Sequence, residues 1–150
     1  MTRVEATIDL SILKNPTRFL FFTGKGGVGK TTLACAVALQ LCRQGQKVLI
    51  VSTDPASNLD EMLATPLANS PRAIAGAPGL YAMNIDPEAA AESYRTRVLS
   101  QLPETSNEDE RKTVREQLSG ACTTEIAAFD EFAGLLTGDV SAYAHVIFDT

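Results

Sequence analysis

Residues 24–31 read Gly-Lys-Gly-Gly-Val-Gly-Lys-Thr, and this stretch decides the fold of the chain. It fits the pattern GxxxxGK[ST], in which backbone amides surround phosphate oxygens and the lysine adds a positive charge. An apolar run at 19–22 precedes it, and a proline-free apolar segment at 33–44 follows it. The stretch therefore lies between a predicted strand and a predicted helix, which is the setting that a phosphate-binding loop requires.

The residue types of this loop suit a nucleotide phosphate chain. Glycines let the backbone approach phosphate oxygens, and the start of the following helix adds partial positive charge. We expect Lys30 to contact the β- and γ-phosphates, Thr31 to coordinate Mg²⁺ and Thr32 to reach an earlier phosphate. The predicted nucleotide-binding residues are Gly24, Lys25, Gly26, Gly27, Val28, Gly29, Lys30, Thr31 and Thr32.

The patterns outside the loop predict an α/β fold with a mostly parallel sheet flanked by helices. Apolar runs at 48–51 and 146–148 are typical of strands buried on both faces, and the first of them completes a right-handed βαβ unit over 18–54. Residues 53–79 hold four of the seven prolines and are expected to be irregular, with short helical turns. The remaining predicted elements are a strand at 80–85, helices at 87–99 and 123–136, and a helix that ends near 118, capped by Ser106 or Asn107.

These elements belong to one predicted domain. Residues 1–17 are expected to form an arm, 86–137 a helical segment, and 145–150 a strand that carries Asp149. In the last helix, apolar residues recur at helical spacing and predict its buried face, namely Ile126, Phe129, Ala133 and Leu136.

Aspartates follow two of the predicted strands. Asp54 comes after the strand at 48–51, and Asp149 comes directly after the strand at 146–148. Parallel strands place both at their carboxyl edge, beside the phosphate loop. Carboxylates there can hold the water shell of Mg²⁺ or orient an attacking water. Taken alone, either aspartate also fits a helix N-cap or a turn residue, but the occurrence of both beside the phosphate loop favours the metal and water role.

The composition excludes several classes of protein. The chain has 150 residues, 45% apolar and 21% charged, which indicates a globular domain rather than a disordered chain. Its 13 Lys and Arg against 18 Asp and Glu give a net charge of −5, the wrong sign for binding nucleic acid. The sequence shows neither a membrane-spanning apolar run nor a signal peptide, so we expect a cytoplasmic protein.

The three cysteines have no disulfide or CxxC spacing, which indicates reduced thiols. Cys35 and Cys42 lie seven residues apart on the first helix, too far along its axis, at about 10.5 Å, for a disulfide, and we expect both in the core. Cys122 lies near the start of the last helix, where the helix dipole favours a thiolate although Glu125 opposes it. From the residue alone, Cys122 is also consistent with a small buried apolar side chain. The single histidine, His145, is expected at a solvent-exposed strand end.

The phosphate loop resembles that of the deviant Walker A ATPases, because Lys25 directly follows its first glycine. The resemblance implies ATP as the nucleotide and a signature lysine that reaches across to the nucleotide of a second ATPase half or of a homodimer partner. Residues 52–59, Ser-Thr-Asp-Pro-Ala-Ser-Asn-Leu, resemble the switch I segment shared by arsenical pump ATPases and tail-anchored protein targeting factors. This match implies that Asp54 acts on the attacking water or on the Mg²⁺ shell.

A third stretch carries the most specific resemblance. Residues 118–132, Leu-Ser-Gly-Ala-Cys-Thr-Thr-Glu-Ile-Ala-Ala-Phe-Asp-Glu-Phe, closely resemble the metalloid-binding segment in the N-terminal half of bacterial arsenical pump-driving ATPases. Cys122 there matches a thiol ligand of As(III) or Sb(III), and the other ligands in that family come from later segments. The likeness runs from about residue 18 to residue 150. It implies the catalytic residues Lys25, Lys30 and Asp54, and the Mg²⁺ ligands Thr31, Asp54 and Asp149.

The implied function is ATP hydrolysis stimulated by arsenite or antimonite, which energises metalloid efflux through a membrane permease. An arsenic metallochaperone is a further implied partner, and the implied location is the cytoplasm, at the inner membrane through the permease. Two other functions stay open. A tail-anchored protein targeting ATPase would show a Met-rich apolar helix and a zinc CxxC farther along, and a partitioning ATPase is disfavoured by the acidic balance.

The resemblance also bears on the extent of the chain. It implies that the sequence is an N-terminal piece, truncated before the sheet is complete and before a second switch segment that would follow Asp149. We expect the piece alone to be inactive as an ATPase.

Overall fold

Five strands and five helices lie within the residues that a computed structural model describes, which are 13–25, 28–54, 57–138 and 140–150. The strands are β1 (Phe19–Phe22), β2 (Val48–Ser52), β3 (Arg72–Ala73), β4 (Leu80–Asn84) and β5 (His145–Asp149). The helices are α1 (Lys30–Arg43), α2 (Leu59–Met62), α3 (Pro87–Ser100), α4 (Glu108–Gln117) and α5 (Ala121–Thr137). Most of the predicted arm at 1–17 lies outside the described residues.

The strands form one sheet in the order β1-β5-β2-β4-β3. The pairs β1–β5, β5–β2 and β2–β4 are parallel, and only the two-residue β3 runs antiparallel, against β4. Every residue of β2 and β5 is buried, as continuous apolar runs in a parallel sheet require. The predicted α/β class with a mostly parallel sheet flanked by helices is confirmed.

Alternation along the strands divides the core between two faces of the sheet. On one face, side chains such as Ile50 and Ile147 pack against Ala34, Ala38 and Leu41 of α1. On the other, neighbouring strand residues pack against α5, and the ring of Phe148 lies 4.9 Å from Phe21 and 4.7 Å from Phe132 between centroids. The phosphate-loop helix and the helix that carries Cys122 therefore lie on opposite faces of one sheet.

Local sequence signals explain where α3 and α4 begin. The carboxylate of Asp86 accepts hydrogen bonds from the backbone N–H groups of Glu88 and Ala89, and Pro87 occupies the first helical position. At α4, Asn107 and Glu110 form a reciprocal capping box. Of the two caps predicted for that helix, the structure thus has the one at Asn107.

Two predictions about side-chain burial are wrong. On α5, Ile126 and Phe129 were predicted to be buried, but their side chains are 50% and 68% exposed. The helix instead packs Ala127 against α3 and Phe132 against the sheet, so its contact surface is set by two neighbours and not by one straight apolar stripe. His145 is buried at the start of β5 because its Nδ1 lies 3.0 Å from the Thr17 carbonyl oxygen, within a hydrogen bond of the chain before β1.

Among the described residues, no helix combines the length and the apolar character that crossing a membrane requires.

Candidate nucleotide-binding site

The phosphate loop leads from β1 into the first turn of α1. Gly29, the N-cap of α1, has φ of +82°, in the left-handed region where residues with a Cβ are strained. No side chain caps α1, and its first turn contains no acidic residue. The first turn of α1 therefore contributes no carboxylate of its own at the positive end of the helix dipole, which suits an anionic ligand.

Lys30, the first residue of α1, lies between both predicted aspartates. Its Nζ is 3.7 Å from Asp54 Oδ2 and 3.8 Å from Asp149 Oδ1, and it donates a hydrogen bond to the Thr150 carbonyl oxygen. The Lys30 side chain is 8% exposed, so these charges interact with little solvent screening. The structure thus brings the predicted lysine and both predicted carboxylates together at the carboxyl edge of β2 and β5.

Asp149 is the most buried charged group at this edge, with 0% of its surface exposed. Its Oδ2 accepts a hydrogen bond of 2.7 Å from Thr31 Oγ1, whereas its Oδ1 has no hydrogen-bond partner among the described residues. A buried carboxylate oxygen without a hydrogen bond, beside a threonine hydroxyl, suits a hard divalent cation and its water shell. The residues present therefore fit Mg²⁺, and the Thr31 hydroxyl and the Asp149 carboxylate are the groups that would hold it.

Asp54 follows β2, and the serines at 52 and 57 form hydrogen bonds around it. Ser52 Oγ donates to Ser57 Oγ at 2.8 Å, and the Ser57 N–H donates to the Asp54 carbonyl oxygen at 3.0 Å. A cleft of about 270 Å³ opens here, lined by Asp54, Ser57, Asn84, Ile85, Asp86 and Pro87. The cleft has room for water beside Asp54, as a residue that orients an attacking water requires.

Sequence reasoning missed three residues around Asp54, which are Ser52 and Ser57 beside it in the chain and Asn84 in the same cleft. Asn84 lies beside Ser52 in the register of β2 and β4, at the same edge as Asp149. A signal for it existed, because the predicted strand at 80–85 also ends at the carboxyl edge of the sheet. Only the pairing of that strand with β2 shows that Asn84 lies beside Ser52.

The other described residues of the loop lie at the surface. Lys25, Val28 and Thr32 are exposed. Gly26 and Gly27 were predicted to bind phosphate and lie outside the described residues. The roles predicted for Lys25 and Thr32 stay predictions.

Cys122 is the second residue of α5 and is exposed. Cys35 and Cys42 lie on α1, across the sheet from α5; Cys35 is buried and Cys42 partly so. Within the described part of the chain, no group of three or more His, Cys, Asp or Glu side chains is placed to hold a metal ion. The described residues thus offer Cys122 as a single accessible thiol rather than as a member of a finished site.

Cys35 is expected to react only when the protein unfolds. Its side chain is 5% exposed, and burial, with a smaller contribution from the Asp149 charge, raises its pKa to about 11. At pH 8 its thiolate is therefore scarcer than that of an ordinary thiol by about two orders of magnitude.

Iodoacetamide labelling with mass spectrometry at pH 8 should be about 100-fold slower at Cys35 in the native protein than in urea. Equal rates under the two conditions would contradict the buried position.

The sequence is similar to those of known proteins. The profile of the family described as Anion-transporting ATPase matches residues 17–150. The chain is 51% identical over 143 residues to the arsenical pump-driving ATPase of Escherichia coli and 50% identical over 143 residues to that of Acidiphilium multivorum. Each match covers 94% of this chain and 24% of the relative, so the chain spans about a quarter of their length. It is also 31% identical to ATPase GET3 of Candida glabrata, over 98% of this chain and 45% of that protein.

Proposed function

The chain belongs to the anion-transporting ATPase family, and from this premise we propose that it forms a Mg-ATP site of an ATPase stimulated by arsenite or antimonite. The whole protein would couple hydrolysis to metalloid efflux through a membrane permease. The observation that carries the proposal is that Lys30, the first residue of α1, lies close to both Asp54 and Asp149 at one edge of the sheet.

The proposed chemistry follows from the charges at this edge. Lys30 holds a positive charge where the β- and γ-phosphates of ATP would lie, and electrostatic stabilisation of developing charge is the main catalytic term in phosphoryl transfer. Asp54 lines the cleft and is placed to orient the attacking water. Thr31 and Asp149 would hold Mg²⁺, which screens the phosphate charge when it is bound.

Lys25 and the partners extend the proposal beyond the described contacts. Lys25 is exposed on the loop, as a residue that reaches a neighbouring subunit must be. We therefore assign it to the nucleotide of a second ATPase half or of a homodimer partner. The permease would keep the protein peripheral to the inner membrane on its cytoplasmic side, with a metallochaperone as a metalloid donor.

We also propose which parts of the domain supply the nucleotide site and the metalloid ligand. Residues 18–54 supply the phosphate loop, 145–150 supply Asp149, and 86–137 supply the layer with Cys122. This layer consists of α3, α4 and α5, in which Ala90 and Ala91 pack against Ala127. An exposed thiol on this layer is accessible to As(III) or Sb(III), which as soft ions prefer thiolate ligands.

Cys122→Ser in the complete protein should remove or weaken the stimulation of ATP hydrolysis by antimonite and leave basal hydrolysis unchanged. A hydroxyl is a poor ligand for a soft metalloid, and Cys122 lies on α5, which packs on the face of the sheet opposite α1. The measurement is the steady-state ATPase rate with and without antimonite.

Cys42→Ser is the matched control, since Cys42 is a partly buried cysteine on α1. It should keep the stimulation. Full stimulation of the Cys122→Ser protein would refute the role of Cys122.

A targeting ATPase for tail-anchored membrane proteins is the second candidate. It rests on the resemblance of residues 52–59 to the switch I segment of the targeting factors, and the 31% identity to ATPase GET3 supports it. The same rate measurement separates the two candidates, because the targeting function predicts no response to antimonite.

A further inference from the structure

The carboxyl ends of three neighbouring strands form one row in the register Asp149–Ser52–Asn84. Their side chains share the α1 face of the sheet, since cross-strand partners point to the same side. Asp149 belongs to the candidate Mg²⁺ site, and Ser52 is the last residue of β2, just before Asp54. Asn84 completes the row on β4 and lines the cleft beside Asp54.

Asn84 holds the segment that follows Asp54 through its side chain and its backbone. Its Nδ2 donates to Asp60 Oδ1 at 2.8 Å, and its backbone N–H donates to the Ala68 carbonyl oxygen at 2.9 Å. Asp60 Oδ2 in turn accepts from the Leu67 N–H at 3.1 Å. Both ends of the segment 60–68 are therefore tied to the end of β4.

The carboxylate of Asp60 is well suited to this position. The hydrogen bond from the Leu67 backbone, and then that from the Asn84 amide, hold the pKa of Asp60 below its ordinary value. Asp60 is thus ionised at neutral pH and accepts charge-assisted hydrogen bonds on both oxygens. Because both oxygens of the Asp60 carboxylate accept hydrogen bonds, the carboxylate is held in place and fixes the orientation of the Asn84 amide.

Residues 57–60, which follow Asp54 closely in the chain, are anchored at several points. Ser57 is bonded to Ser52 and to the Asp54 carbonyl oxygen, and the side chain of Leu59 is completely buried. The next residue is Asp60, bonded to Asn84. Asp54 and Asn84 line the same cleft, and the hydrogen bond from the Ser57 N–H to the Asp54 carbonyl oxygen links the position of Asp54 to these anchored residues.

We propose that Asp60 and Asn84 are positioning residues for ATP hydrolysis, whose hydrogen bond holds the segment after Asp54 against β4 and so places Asp54 for the attacking water. The inference rests on the proposed ATPase function and deepens it. Neither residue touches the reacting atoms, and both act through Asp54.

The test is a swap of donor and acceptor in the complete protein. Asn84→Asp places two carboxylates against each other and should lower kcat for ATP by at least about tenfold, because small displacements of a catalytic group are costly. The KM for ATP and the affinity for ADP should stay within about threefold, since Asp60 and Asn84 lie outside the phosphate loop.

The double variant Asp60→Asn with Asn84→Asp should restore kcat to within about threefold of the unsubstituted protein. Its new amide donates to the carboxylate at position 84 and still accepts from the Leu67 N–H. Asn84→Ala, which removes the donor without adding charge, should lower kcat in the same way as Asn84→Asp. It keeps the test decisive if the two carboxylates prevent folding.

Asn69→Asp, at an exposed asparagine in the loop before β3, is the matched control and should leave kcat unchanged. A kcat for Asn84→Asp equal to that of the control would overturn the inference, as would a loss that the double variant does not repair. A loss of ADP affinity in step with kcat would also overturn it, because it would indicate a general structural role. If the unsubstituted protein hydrolyses no ATP, the proposed function itself fails, and the inference falls with it.

Discussion

Lys30→Met is expected to lower ATP turnover of the complete protein by roughly 10²–10³-fold, the usual effect of removing one charge-stabilising group from an active site. Methionine keeps most of the length of the lysine stem but carries no charge. The site would then hold two carboxylates, Asp54 and Asp149, with no cation between them. Their repulsion of the phosphates should weaken nucleotide binding as well as the chemical step.

The measurement for Lys30→Met is steady-state hydrolysis, together with the affinity for a fluorescent ADP analogue. Lys112→Met, at an exposed lysine of α4, is the matched control and should behave as the unsubstituted protein does. Because the Lys30 side chain is 8% exposed, its loss also destabilises the fold, and the unfolding midpoint should be recorded for both variants. Turnover of the Lys30→Met protein within about threefold of the control would contradict the role of Lys30.

Asp149→Asn is expected to raise the Mg²⁺ concentration required for half-maximal hydrolysis by about 10–100-fold, the usual range for losing a group that supports a metal ion. The amide oxygen of the asparagine can still accept the hydrogen bond from Thr31 Oγ1, so the first turn of α1 keeps its contact. What is lost is the negative charge at a position that is 0% exposed and 3.8 Å from Lys30 Nζ.

A titration of the ATPase rate with Mg²⁺ measures this effect. Asp109→Asn, at an exposed aspartate in the first turn of α4, controls for the loss of one negative charge elsewhere. Identical Mg²⁺ dependence in the two variants would place the metal ion away from Asp149.

The fold was predictable because its signals are local. The run at 19–22, the glycine loop and the apolar run at 48–51 each specify one element, and the right-handed connection fixes the face of the sheet on which the helix between the two strands lies. Burial on α5 was not predictable in the same way. Phe129 has the spacing of a core residue but is exposed, since α5 packs on α3 and on the sheet at once. His145 is buried for a similar reason, through a contact with Thr17 at the far end of the chain.

The same distinction applies to the candidate site. Lys30, Thr31 and Asp149 were expected near one another because a phosphate loop and the ends of parallel strands meet at one edge. The contact between Asp60 and Asn84 depends on the register of β2 against β4 and on the path of an irregular segment. Neither this register nor this path has a local sequence signature, so only the structure shows that Asn84 contacts Asp60.

The most direct test of the account is the rate of ATP hydrolysis by the complete protein, measured with and without Mg²⁺ and with and without antimonite. We predict hydrolysis that requires Mg²⁺ and that accelerates when antimonite is added. Hydrolysis that requires Mg²⁺ but ignores antimonite would contradict the metalloid function, and no hydrolysis with Mg²⁺ present would contradict the nucleotide site formed by Lys30, Asp54 and Asp149.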